Sequence, residues 1–409
     1  MAKRDFLRRL GPGIVTGAAD DDPSGIGTYT SVGASAGYGF LWSALWLLPF
    51  AYAVQEACAR LALVTGKGLA AIIKTRLPRW VLVVAVLLVA VANTVNIAAN
   101  LSIMSAALGL LVPIEQWAGV LMFAVVLGVT EIVIPYHRYA KVLRWLCISL
   151  LAYVAVLFVA QVDWQLVAIS TLIPSFDFSR LSFELLIALA GTTISPYLFF
   201  WQAAEEVEEN KGIRMRRVRL SNLQAMRGDV FAGMFTGVFI MFSIMATSAA
   251  TLNAQGITEV SSAADAALAL KPIAGEWASL LFLLGILGVG MLSIPVLAGA
   301  TAYAVAETFG WRESLELKPR QAKAFYGVIA LSMLVAMLLN LGGIEPVNFL
   351  ILAATLNGLS APILMVIIWI LARDKNLLGK WASGRISQVL LGMATLAMGS
   401  LPVFWLLAG

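Results

Sequence analysis

Apolar stretches long enough to cross a membrane follow one another along the 409 residues with few interruptions. A bilayer core about 30 Å thick is crossed by about 20 apolar residues of helix. The pattern predicts eleven spans, at roughly 11–35, 39–63, 79–110, 115–134, 139–160, 183–207, 225–252, 274–307, 322–341, 345–372 and 386–407. Connections are short and no low-complexity linker divides the chain, so 1–409 is expected to form a single transmembrane domain. Two spans are interrupted. The first runs from Gly11-Pro12-Gly13 into Asp20-Asp21-Asp22-Pro23-Ser24-Gly25, and the sixth contains Gly191-Thr192-Thr193-Ile194-Ser195-Pro196-Tyr197.

A carboxylate at mid-membrane costs roughly 2.5–3.5 kcal/mol on insertion scales. Proline removes a backbone donor and clashes with the preceding turn. Three acids beside a proline therefore predict unwound backbone lining a polar cavity. Asp22-Pro23 reads as an N-cap and the first position of a second half-helix. Capping accounts for one aspartate and not for three, which points to a cation site at Asp20, Asp21 and Asp22. Ser195-Pro196 repeats the cap-and-proline pattern. Interruptions at matching places in two halves point to inverted repeats, at about 11–160 and 183–372, with an extra span at 386–407. Carbonyls freed at each break carry the negative end of a half-helix and complete a nest for a cation.

Composition agrees. Hydrophobic residues make up 60% of the chain and charged ones 12%, against roughly 45–50% and about 25% in soluble domains. A cytosolic enzyme, a nucleic-acid-binding module and a disulfide-stapled secreted protein are excluded. All of the 28 lysines and arginines except Arg180 and Lys271 fall on one side of the predicted spans. By the positive-inside rule that side is cytoplasmic, which places the N-terminus inside and the C-terminus outside the cell (inner) membrane. The basic 211–219 run then faces anionic lipid. No uninterrupted apolar segment with a cleavage site follows the basic N-terminus, so no cleaved signal peptide is expected. Cys58 and Cys147 lie in apolar runs and the single histidine, His137, lies in a loop. No zinc site, redox pair or other cofactor is expected, and an embedded enzyme would lack a nucleophile–base pair.

These motifs resemble the NRAMP family of divalent-metal transporters. Gly11-Pro12-Gly13, followed nine residues on by Asp22-Pro23, matches the family's spacing from Gly-Pro-Gly to Asp-Pro-Gly-Asn. Gln55 to Lys67 is similar to its second-helix signature, and Ser195-Pro196-Tyr197 stands where the family has Met-Pro-His. The resemblance implies a leucine-transporter-type fold. It implies a metal-binding carboxylate at Asp22, backbone carbonyls from Ala19 and Thr192, and a contribution from Asn357. The expected partners are the divalent metal ion and the lipid bilayer, with no nucleic acid and no obligate protein partner evident.

The departures carry information. Gly25 replaces the family's binding asparagine, Ser195 its methionine and Tyr197 its histidine. Exchanging a thioether for a hydroxyl moves the site from soft to hard, all-oxygen chemistry, which suits magnesium. Asn93 and Asn96 stand at the spacing of the family's titratable Asp-x-x-Glu pair, and an amide carries no proton near neutrality. The pattern is similar to the NRAMP-related magnesium transporters, a branch thought to move magnesium and manganese without proton coupling. Asn93, Asn96 and Asn100 read equally as interhelical hydrogen-bonding groups or as the lining of a hydrated vestibule. Glu205, Glu206, Glu208 and Glu209 read as a solvated helix end or an inner vestibule. Glu56 and Arg60 form an i, i+4 pair, and Glu131 and Glu307 are expected to snorkel or pair at span ends.

Overall fold

The computed structural model describes residues 12–134, 151–159, 162–210, 218–260 and 262–408. The basic N-terminus, Gly11, His137, Cys147, the first part of predicted span five and 211–217 of the basic run lie outside the described residues.

Span one is two helices, α1 (Pro12–Asp20) and α2 (Pro23–Ala36), separated at Asp21 and Asp22. Span two is α3 (Ser43–Thr65), which ends where Gly66 takes a left-handed conformation. A short α4 (Leu69–Arg76) leads into α5 (Arg79–Gly109) and α6 (Gln116–Val133). Span five is described as α7 (Leu151–Val159), followed by a short α8 (Trp164–Leu172). Span six divides into α9 (Arg180–Thr193) and α10 (Pro196–Glu209). Beyond it lie α11 (Leu220–Thr251), α12 (Ala278–Phe309), α13 (Lys323–Asn340), α14 (Pro346–Arg373) and α15 (Arg385–Leu407).

Among the described residues there is no strand, and nine helical stretches are long and apolar enough to cross a membrane. They fall on predicted spans two to four and six to eleven. The halves of span one, 9 and 14 residues long, are each too short. Short helices α4 and α8 were not expected: their lengths carry no membrane-spanning signal.

Burial separates centre from rim. The most apolar stretches of α3 and of the α9–α10 pair are 83% buried, whereas that of α15 is 28% buried. The rim is apolar, with Leu87, Val125, Phe158, Leu331 and Leu396 exposed. Apolar surface this extensive is lipid-facing rather than water-facing. Absent side chains let the broken spans come close to their neighbours. A Cβ on Gly17 of α1 would lie 2.2 Å from the Gly233 carbonyl oxygen of α11, and one on Gly191 of α9 would lie 2.4 Å from the Gly358 nitrogen of α14.

Two buried acids depart from expectation. Glu131 does not snorkel or pair; it is buried with neither carboxylate oxygen hydrogen-bonded. Glu307 is buried too, and accepts from the Ala71 N–H (2.9 Å) at the start of α4. Glu56 pairs with Arg60 as expected and takes a second partner, Arg227 Nε at 2.8 Å.

Candidate metal site

The two breaks face each other across the centre of the bundle. Asp22 is the N-cap of α2, and Pro23 follows at the first turn. Its Oδ1 accepts from the Gly25 N–H and from the Ser24 hydroxyl, both at 2.8 Å. A side chain from span three completes the arrangement. Asn100 of α5 donates from Nδ2 to Asp22 Oδ2 (3.0 Å), and its Oδ1 accepts from the Ser24 N–H (3.1 Å).

Asp20 and Asp21 are buried beside it, and Oδ1 of each has no hydrogen-bond partner in the structure. Asp20 ends α1 and faces α11: a Cβ built on Gly237 would lie 3.4 Å from its Oδ2. Successive side chains at the break thus diverge, Asp22 toward α5 and Asp20 toward α11. Among the described residues, no three His, Cys, Asp or Glu side chains are grouped to hold an ion. The three aspartates share a place in the chain without forming one carboxylate cage.

In span six, Ser195 occupies the N-cap position of α10 and Pro196 opens the helix, as the sequence predicts. Its side chain does not cap. The hydroxyl turns back and donates to the carbonyls of Thr192 (2.7 Å) and Gly191 (2.9 Å), satisfying the end of α9 instead. The Thr192 hydroxyl donates to the Ala188 carbonyl, so only its backbone oxygen addresses the break. Tyr197 donates from its hydroxyl to the Ala19 carbonyl (2.8 Å). A Cβ on Gly25 would lie 3.4 Å from both the Asp20 carbonyl oxygen and the Thr192 methyl carbon, which places the two breaks in contact. Asn357 of α14 is buried with both amide atoms unpartnered, and no hydrogen bond joins it to the aspartates.

Three participants stand beyond the residues that the resemblance implies, and the sequence signals only the first of them. Asn100 is one; read in the sequence as an interhelical hydrogen-bonding group or vestibule lining, it bonds across helices to Asp22 and Ser24. A second is Gln202 of α10, whose Oε1 accepts from the Thr16 hydroxyl of α1 (2.7 Å), joining the two half-helices away from the break. The third is Met241 of α11, whose sulfur accepts from the Thr193 hydroxyl (3.2 Å). By contrast, Asn93 donates to the Leu297 carbonyl (3.1 Å) and to Thr301 (2.9 Å) of α12, which is packing between spans.

Further along α1 and α10 lies an acid-lined cavity of about 390 Å³, bordered by Pro12, Leu63, Glu206, Glu209, Asn222 and Asp229. Glu206 is buried, which discounts a purely solvated helix end; Glu208 accepts from the Ser314 hydroxyl.

Opposed half-helix breaks inside a lipid-facing helical bundle define a membrane transporter of the leucine-transporter type. Comparison with known proteins narrows the class. A family model described as natural resistance-associated macrophage protein-like matches residues 13–408, and the chain belongs to that family, NRAMP. It is therefore a multi-pass membrane transporter for divalent metal cations, not an enzyme, and the cation is its cargo rather than a cofactor. It is 25% identical to the divalent metal cation transporter MntH of Pectobacterium carotovorum over 93% of this chain and 90% of that one. It is 26% identical to MntH of Klebsiella pneumoniae over 100% and 95%. In fold it is similar to the Eremococcus coleocola manganese transporter, with TM-score 0.77, 18% identity, and coverage of 97% of this chain and 86% of that one. It also resembles Mhp1, a nucleobase-cation-symport-1 family transporter, in a closed conformation, with TM-score 0.65, 13% identity, and coverage of 97% and 90%.

Proposed function

We propose that this transporter moves magnesium, with manganese as a second substrate, across the cell membrane by alternating access and without proton coupling. The ion binds between the breaks of spans one and six. Its oxygens come from Asp22, assisted by Asp20 and Asp21, from the carbonyls of Ala19 and Thr192, and from Ser195, Tyr197 and Asn357, with Gly25, which carries no side chain, letting the two breaks come into contact beside it. One observation carries the choice of metal. The position that opens the second half of span six is Ser195, so this turn offers hydroxyl and carbonyl oxygen and no thioether. Hard, slowly dehydrating ions accept such a set, whereas soft ligation would favour transition metals. One helix bundle rocks against the other in a chain built of repeats at about 11–160 and 183–372, with 386–407 as an added helix, and the basic residues set the N-terminus in the cytoplasm.

The test is uptake into proteoliposomes. Asp22→Ala abolishes magnesium uptake on this reading, and unimpaired uptake by that variant refutes the site. A second reading, a proton-coupled manganese or iron symporter, is favoured by Met241 Sδ at the end of α9 and by the manganese-transporting structural neighbour. Internal acidification accompanying metal entry decides for it; uptake at constant internal pH decides against it.

A further inference from the structure

We propose that Asn100 is the positioning residue for Asp22: its amide fixes which way the carboxylate faces and so sets how tightly the site holds a hard divalent cation. This rests on reading Asp22 as a cation ligand.

Asp22 Oδ1 is held from its own turn, by Gly25 N–H and Ser24 Oγ. Those two bonds anchor one oxygen and leave the carboxylate free to swing its other oxygen about that anchor. Asn100 Nδ2 removes the freedom by donating to Oδ2 from across the bundle, on a helix 78 positions away. The same side chain accepts from Ser24 N–H, so amide and half-helix are held in register by two bonds of opposite sense. Asn100 is 0% exposed and its rotamer is held at both ends of the amide by Asp22 and Ser24; Ser293 Oγ of α12 lies only at 3.5 Å, the outer limit of a hydrogen bond.

The choice of an amide matters. A lysine or arginine at this place would orient the carboxylate but cancel the charge that a cation needs. An amide donor uses one lone pair of Oδ2 and leaves the second, together with the full negative charge, for an ion. Geometry of this kind, imposed on a ligand by its hydrogen-bond partner, commonly changes metal affinity 10–100-fold when the partner is lost. Asn93 serves as the internal contrast. It lies two turns away on the same helix, and its donor is used on the backbone and hydroxyl of α12 rather than on a carboxylate.

The experiment compares magnesium uptake by proteoliposomes containing the full chain, wild type or Asn100→Leu, which has nearly the same volume and neither donor nor acceptor. The half-saturating magnesium concentration is expected to rise about tenfold, with the maximal rate within about twofold of wild type. Titration calorimetry with magnesium alone is expected to show the same loss of affinity. Ser293→Ala removes only the 3.5 Å contact and leaves both values unchanged. A folded Asn100→Leu with wild-type half-saturation overturns the proposal. If Asn100→Leu does not fold, Asn100→Asp replaces it, keeping the shape and the acceptor for Ser24 while exchanging the donor for a second carboxylate. It is expected to lower the half-saturating concentration and slow the maximal rate, because a divalent ion bridges the two acids; unchanged values overturn the proposal. Loss of the underlying reading looks different, since Asp22→Ala would then transport magnesium normally.

Discussion

Tyr197 reaches from the restarted half of span six to the Ala19 carbonyl at the end of the first half-helix, with 2.8 Å between the oxygens. That carbonyl is one the family resemblance assigns to the cation, so the Tyr197 hydroxyl holds it in place and stands beside it as a further oxygen for the ion. Tyr197→Phe leaves the carbonyl buried and unpaired, at a cost of about 1–3 kcal/mol. The expected result is a lower thermal midpoint without magnesium and a smaller rise on adding it, because the ion then loses one of its oxygens. Thermal shift in detergent with and without magnesium checks this, and an unchanged magnesium-induced rise contradicts it.

The cluster of Glu56, Arg60 and Arg227 separates a costly deletion from a cheap one. Arg60 and Glu56 are almost fully buried, whereas the Arg227 side chain is 41% exposed. Removing one member of a buried pair strands the other, at about 3–5 kcal/mol. Glu56→Ala is therefore expected to destabilise severely, and Arg227→Ala by about 1 kcal/mol or less. Unfolding midpoints for the two variants, measured side by side, test the ordering.

Glu313, in the loop after α12, supplies a pH dependence. Burial, and then the charges of Glu307 and Glu208, push its carboxyl from the usual 4.5 up to about 8. An acid raised in the folded state binds its proton more tightly there than in the unfolded chain, so its ionisation opposes folding. The penalty is absent below about 4.5, grows as pH climbs, and is complete above about 8. Glu313→Gln should match wild type in stability near pH 5 and exceed it at pH 8.5. Equal midpoints at both values would remove this role.

Gly17 tests the packing of the first half-helix. Its Cβ position lies 2.2 Å from the Gly233 carbonyl oxygen, a backbone atom that cannot step aside. Gly17→Val is expected to prevent α1 from seating, seen as loss of monodisperse protein in size-exclusion chromatography. Gly128→Ala on α6 is the control, since nothing lies within 4 Å of its Cβ position, and it should behave as wild type.

Both breaks were legible because each rule involved is local. Asp22-Pro23 and Ser195-Pro196 state within two residues where a helix restarts, and the structure places α2 and α10 there. What the Ser195 hydroxyl does was not legible: it had a choice between the amides ahead and the carbonyls behind, and it took the carbonyls. Where each aspartate points was not legible either: Asp22 is held from α5, whereas Asp20 faces α11. Asn100 was legible as an interhelical hydrogen-bonding group, but its partner was not: Asp22 is distant in the chain, and no spacing rule connects them. Glu131 looked like an ordinary helix-end acid because its burial is created by helices packed around it rather than by its own sequence.

The Arg60 guanidinium also donates from Nη1 to the Trp381 carbonyl (3.0 Å), and Ser387 Oγ of α15 lies 3.4 Å from Glu56. The peripheral α15 and the segment leading into it are thereby moored to the buried α3 through the Glu56–Arg60 pair. Deleting everything from residue 380 onward would thus be felt in the middle of the protein, as a guanidinium short of an acceptor, and not merely as a stripped lipid-facing flank.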